Sequence, residues 1–144
     1  MAHAAETVTV NRPIDEVFAF LVDGMNEPKW RPDVISIEPV AGTGPGVGQT
    51  YAQTMSGPGK RKIKGDYRIT RFESPTRLDF ETIAGPARPV GSFTLSEPSS
   101  GVTEVTFTID LTPRGAMVLM TGMINKQVAV EAANIHNLPK AMGA

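Results

Sequence analysis

Along residues 104–111, Val105, Phe107, Ile109 and Leu111 alternate strictly with Glu104, Thr106, Thr108 and Asp110. Period two is the signature of a strand with one buried face and one wet face. The pattern recurs upstream. Lys62, Lys64, Asp66, Arg68 and Thr70 alternate with Ile63, Gly65, Tyr67 and Ile69. Leu78, Phe80 and Thr82 oppose Arg77, Asp79 and Glu81, and Gly91, Phe93 and Leu95 form another apolar face. Turn signals separate these runs at Ser74-Pro75, Gly85-Pro86 and Glu97–Gly101. Strands joined by short turns, each with one polar side, predict an antiparallel sheet wet on one face. Its apolar face needs a cover. The segment Gly115–Leu138 holds no proline and is followed by Pro139, so a helix of about 36 Å, at ~1.5 Å per residue, is expected to lie along the sheet.

The N-terminal third completes the layout. Val8 and Val10 mark a first strand over Glu6–Val10. A helix then starts at Pro13, with Asp15 and Glu16 in its first turn and Ile14, Val17, Phe18 and Leu21 on one stripe. Gly24 is expected to end it as a left-handed cap, with one more turn over Asn26–Trp30. Short strands follow at Val34–Pro39 and Gln49–Ser56. With 40% hydrophobic and 20% charged residues, one domain over residues 1–144 can bury a core. The net charge of −1 provides no field for nucleic acid, no cysteine is present, and no apolar run approaches the ~18 residues of a membrane span. The start carries no basic, apolar leader, so a cytoplasmic chain without stable membrane insertion is expected.

The expected inner face is undersized. A twisted sheet curves away from a straight helix, and bulky side chains must fill the gap. Gly65, Gly91, Thr82 and Ala52 or Gln53, according to register, stand there instead, and aromatics are only 6% of the chain. A hollow for an apolar guest follows, unless methionines and the first helix plug it. The inner stripe of the long helix is read as Met117, Thr121, Ile124, Val128, Glu131, Ile135 and Leu138. Glu131 is its odd member, since a carboxylate there needs a partner, a proton or an exit to water. Met117–Ile124 is apolar nearly all round, which suits a homodimer contact, a protein partner or an entrance flap, and Gly122 weakens the helix there.

This order of elements, with Pro13-Ile14-Asp15-Glu16-Val17-Phe18, Trp30 and the Gly44–Gly48 loop before Tyr51, resembles the START-like (SRPBCC) superfamily, and within it the polyketide cyclase/dehydrase-type branch. The resemblance spans residues 6–138 and implies an α+β helix-grip fold: a curved antiparallel sheet of about seven strands around a long C-terminal helix, with two short helices after strand one. It also implies a cavity for lipids, polyketides or aromatic compounds, and no shared catalytic triad. One departure is Asn137-Leu138-Pro139, where relatives run on, so a shorter last turn is expected.

Other motifs point away from different chemistry. Gly42, Gly44, Gly46 and Gly48 mimic a phosphate loop but lead into a strand, without a helix N-terminus to hold an anion. Lys60, Arg61, Lys62 and Lys64 form a basic tip without the exposed aromatics of a nucleic-acid binder. His3 and His136 match no metal-ligand spacing, and no nucleophile elbow surrounds Ser56 or Ser92. No cofactor, metal or nucleic acid is therefore expected. The expected ligand-binding residues are Trp30, Tyr51, Gln53, Met55, Tyr67, Phe80 and Thr82, together with Phe93, Phe107, Met120, Ile124, Val128 and Glu131. Two functions are expected of such a cavity. The first is binding of a small hydrophobic molecule. The alternative is a polyketide cyclase/dehydratase using Glu131 and Tyr67 as acid/base groups.

Overall fold

A computed structural model describes residues 2–42 and 44–144. Met1 and Thr43, read above within the N-terminal start and the glycine loop, lie outside the described residues. Strand β1 (Ala2–Val10) leads to α1 (Ile14–Val22) and a 3-10 helix (Gly24–Lys29). Strands β2 (Val34–Ala41), β3 (Thr50–Ser56), β4 (Lys62–Lys64) and β5 (Tyr67–Glu73) follow, then β6 (Arg77–Thr82), β7 (Val90–Ser99) and β8 (Val102–Leu111). The chain closes with a 3-10 segment (Gly115–Met120), α2 (Thr121–Ala133), a 3-10 turn (Asn134–Asn137) and α3 (Leu138–Ala141). The strands pair antiparallel in the order β1-β8-β7-β6-β5-β3-β2, with β4 on β3, and form one eight-stranded sheet, as the expected helix-grip layout requires.

Four local readings are revised. Strand β1 begins at Ala2 because β8 extends to Leu111 and pairs Ala2 opposite it. The strand read over residues 62–70 is divided, yet its register is continuous, with Thr54 opposite Lys64 and Tyr51 opposite Tyr67. The division arises from side chains entering the ladder. Gln53 N donates to Asp66 Oδ1 at 3.1 Å, and Gly65 O accepts instead from Gln53 Nε2 at 3.1 Å. Gly24 is not a left-handed cap. Asp23 closes α1, and its side chain accepts from Met25 N to start the 3-10 helix. Gly24 is required by space: a Cβ there would stand 2.6 Å from Tyr67 Oη and 2.7 Å from the Tyr51 ring. Finally, the helix expected over Gly115–Leu138 is α-helical only over Thr121–Ala133, with 3-10 segments on either side, and the helical stretch does not end at Pro139. Pro139 occupies the first turn of α3, where its missing N–H is tolerated.

Ile124, Val128, Ala132, Ile135 and Leu138 are buried, which realises the inner stripe from Ile124 onward, while Thr121 is exposed. Ala132 joins that stripe unforeseen. Helix α2 packs chiefly on β1 and β8. Phe93 and Phe107, opposite one another on β7 and β8, stack at 4.5 Å, and Trp30 meets both edge-on. Among the described residues no helix is long and apolar enough to cross a membrane.

Candidate functional site

Because α2 covers the β1–β8 side, the concave face farther along the sheet stays open beneath it, and a cavity of about 170 Å³ remains there. Apolar side chains from the sheet build its walls, including Ile69, Leu78, Phe80, Phe93, Phe107 and Ile109. Leu21 enters from α1, Val128 from α2, and Ala87 and Pro89 from the β6–β7 connection. Lys64 and Gln127, both exposed, stand at its rim.

Of the small residues expected to leave this space, Gly65 and Thr82 line the cavity, while the room beside the two glycines is shared with neighbouring side chains. A Cβ on Gly91 would lie 2.4 Å from Phe80 Cζ, so the Phe80 ring already fills that position. One on Gly65 would lie 2.9 Å from Met55 Sδ and 3.2 Å from Gln53 Nε2. Both glycines admit a neighbouring side chain that turns across the face.

The cavity has one polar end, organised by Arg31. Glu27 and Arg31 are four residues apart, and Arg31 Nη1 donates to Glu27 Oε2 at 2.9 Å. Arg31 Nε donates to Glu131 Oε1 at 2.6 Å, and its Nη2 stands 2.5 Å from the same oxygen. Nη1 also reaches Gln53 Oε1 at 3.4 Å, while Nη2 faces Met55 Sδ at 3.9 Å. The side chains of Arg31 and Glu27 are only 10% and 7% exposed, against 21% for Glu131. Burial raises the Glu27 carboxyl above its ordinary range, with Arg31 opposing and Glu131 adding to the rise. Burial alone would lower Arg31, but Glu131 and Glu27 outweigh it and hold the guanidinium above its usual value. Glu131, which the sequence marks as needing a partner, finds it here.

Tyr67 joins the lining, its hydroxyl set beside Gly24, and burial pushes its pKa well above the ordinary phenol value, followed by the nearby Glu27 charge. It is therefore a hydrogen-bond donor at neutral pH. Tyr51 stacks on Tyr67 at 5.2 Å with 28° between the rings, and it too is raised by burial.

Of the expected ligand contacts, Gln53, Met55, Tyr67, Phe80 and Thr82 line this cavity, as do Phe93, Phe107, Val128 and Glu131. Four others do not. Trp30 is fully buried behind Phe93 and Phe107 as a packing anchor. Tyr51 lies behind Tyr67 and faces a second hollow. Ile124 is buried in the helix-sheet core, and Met120 is turned to solvent. The second hollow, about 640 Å³, is an open trough bordered by α1, Gln49, Tyr51 and Phe72, larger but less enclosed. Arg31 and Glu27 were missed by sequence reasoning. Their Glu-to-Arg spacing of four beside Trp30 was the available signal.

The remaining candidates are dispersed. His3 pairs with Asp110 on the β1–β8 surface, and His136 lies 3.3 Å from Glu6. Arg68 pairs with Glu81 across β5 and β6, and Lys64 lies 3.5 Å from Asp66, so the basic strand face is solvated and partly neutralised. Gly42 and Gly48 hold positive φ of 100° and 93°, which makes the glycine run a turn into β3. Val118, Leu119, Met120 and Met123 are exposed.

A family model described as polyketide cyclase/dehydrase and lipid transport matches residues 1–142. The chain belongs to this family. Solved structures show the same fold. This chain is 16% identical to the Zhui aromatase/cyclase from Streptomyces sp. R1128, with a TM-score of 0.77 over 97% of this chain and 93% of that one. It is 13% identical to a START superfamily protein from Mycobacterium smegmatis, with a TM-score of 0.75 over 99% of this chain and 94% of that one. Against the di-domain ARO/CYC BexL from the BE-7585A biosynthetic pathway, identity is 18% and the TM-score 0.69, over 96% of this chain and 46% of that one. No curated protein matches by sequence.

Proposed function

We propose that the cavity holds a small, mainly apolar organic molecule whose polar group meets Arg31, Gln53 and Tyr67. The observation that carries this reading is the cavity of about 170 Å³ closed by the sheet and α2, with one buried polar end. Drug-sized ligand pockets run to roughly 300–1,000 Å³, so a guest of one or two rings is favoured over a long lipid. An engineered apolar cavity of about 150 Å³ holds benzene, which sets the scale. The same polar end gives the guest its orientation, because an acceptor placed among apolar walls gains most where donors converge.

Native mass spectrometry of protein purified from its own host, with and without Val128→Phe, tests this. A co-purifying small molecule that Val128→Phe excludes supports the reading. No guest in either sample, together with no thermal shift across an aromatic and lipid panel, refutes it.

A second reading is favoured by the convergence of buried ionisable groups at one end of the hollow. Cyclisation or dehydration of a poly-β-keto chain needs a proton-transfer group and a donor for the developing enolate. Glu131 and Tyr67 would fill these roles, with Arg31 holding the carboxylate in place. Equal turnover of a poly-β-keto substrate by wild type, Glu131→Gln and Tyr67→Phe would remove both from that role.

A further inference from the structure

We propose that the cavity selects neutral guests carrying a hydrogen-bond acceptor, such as aryl ketones, and rejects carboxylates of the same shape, even though a buried arginine lies at its polar end. This rests on the ligand-binding reading above and names the chemical class of guest. A buried guanidinium ordinarily marks a site for an anion, since its planar fork matches a carboxylate. Here the fork is already used. Nε and Nη2 converge on Glu131 Oε1, and Nη1 is shared between Glu27 Oε2 and Gln53 Oε1. Two carboxylates face one guanidinium, so the fully ionised cluster carries an excess negative charge behind the apolar walls.

What Arg31 has left is an Nη2 hydrogen directed at the thioether of Met55, 3.9 Å away and a weak acceptor. A neutral carbonyl oxygen can replace that contact with a stronger bond and bring no charge into the site. Tyr67 lines the same cavity through its ring, with its hydroxyl beside Gly24. A carboxylate could take the same Arg31 donor, but it would meet the excess charge of Glu27 and Glu131. Lys64, at the rim, does not reverse this. Its side chain is 68% exposed and 3.5 Å from Asp66, so water and its own partner screen it. One unit of like charge at ~6 Å, in an effective dielectric of about 20, corresponds to a discrimination of about 100-fold.

The test is isothermal titration calorimetry at pH 7 with naphthalene, 2-acetylnaphthalene and 2-naphthoate, which share one ring framework. The expected result is that the ketone binds about 100-fold more tightly than the carboxylate. In Glu131→Gln, where the cluster is neutral, that ratio falls at least tenfold. Glu27→Gln is the second variant and moves the ratio the same way, and a thermal melt confirms that each is folded. Naphthoate binding as tightly as the ketone in the wild type overturns the selectivity while leaving the pocket in place. An unchanged ratio in both folded variants overturns the assignment to this cluster. Failure of all three compounds to bind, naphthalene included, overturns the pocket itself and the selectivity with it.

Discussion

Replacing Arg31 with methionine keeps most of the side-chain volume and removes the cation that Glu27 and Glu131 share. Glu131 is 21% exposed and can turn toward water, so the loss falls on Glu27, whose side chain is 7% exposed. Stranding one partner of a buried pair destabilises a protein by about 3–5 kcal/mol. With an unfolding entropy of ~2.1 cal/mol/K per residue, a chain of 144 residues changes by about 0.3 kcal/mol per degree, which makes the expected fall in Tm about 10–17 °C. The loss also depends on pH, with a definite sign. Burial already raises the Glu27 carboxyl in the folded protein, and Arg31 is the main influence holding it down. A group whose folded pKa lies above its unfolded value contributes stability that is complete below the unfolded pKa of about 4.5 and fades as pH rises through the folded one. Removing Arg31 moves the folded value higher still, so the deficit of Arg31→Met relative to wild type is larger at pH 8 than at pH 5. Differential scanning calorimetry at both pH values checks this. Adding Glu27→Gln to Arg31→Met removes the stranded carboxylate and restores at least half of the loss. A Tm drop below about 3 °C at pH 8, or an equal drop at both pH values, refutes the reasoning.

Two further substitutions probe close packing. In Gly24→Ala the new methyl stands 2.6 Å from Tyr67 Oη and 2.7 Å from the Tyr51 ring, so the stacked tyrosines must move, and a loss of about 1–3 kcal/mol is expected by urea unfolding. A change below about 0.5 kcal/mol would show that the pair slides freely over the 3-10 helix. Gly91→Ala places its methyl 2.4 Å from Phe80 Cζ and drives that ring into the hollow, so affinity for 2-acetylnaphthalene falls about tenfold or more. Unchanged affinity in a folded Gly91→Ala variant would mean that the guest does not use the Phe80 wall.

How far the fold could be read in advance depended on whether a residue's environment is set locally. The alternation around Val105, Phe107 and Ile109 is a property of one strand, and each of these residues is buried as its spacing requires. The inward face of Ile63, Gly65, Tyr67 and Ile69 survives even where Asp66 interrupts the backbone ladder, because register, not continuity, fixes the face. Gly91 shows the limit. Its absent side chain reads as missing volume in the sequence, but cross-strand pairing sets it opposite Phe80, whose ring takes the space. Arg31 was illegible for a related reason. Its two carboxylates come from four residues upstream and a hundred residues downstream, and only the local one leaves a spacing to notice.

The hollow therefore depends on the position of the helix as well as on small side chains such as Gly65 and Thr82 in its lining. Gly91 is covered by the Phe80 ring, while α2 rests chiefly on β1 and β8 and sends Val128 and Glu131 into the cavity lining. One long edge of α2 is held by apolar contacts through Ile124, Val128 and Ala132. Glu131, on the cavity side, ties the helix to Arg31 just beyond the 3-10 helix. That ion pair joins α2 to the chain after the 3-10 helix at one end of the hollow, so the group that sets the polarity of the cavity also ties two of its walls together there. Parting Arg31 from Glu131 would then change the charge at the polar end and release α2 from the chain after the 3-10 helix in one event.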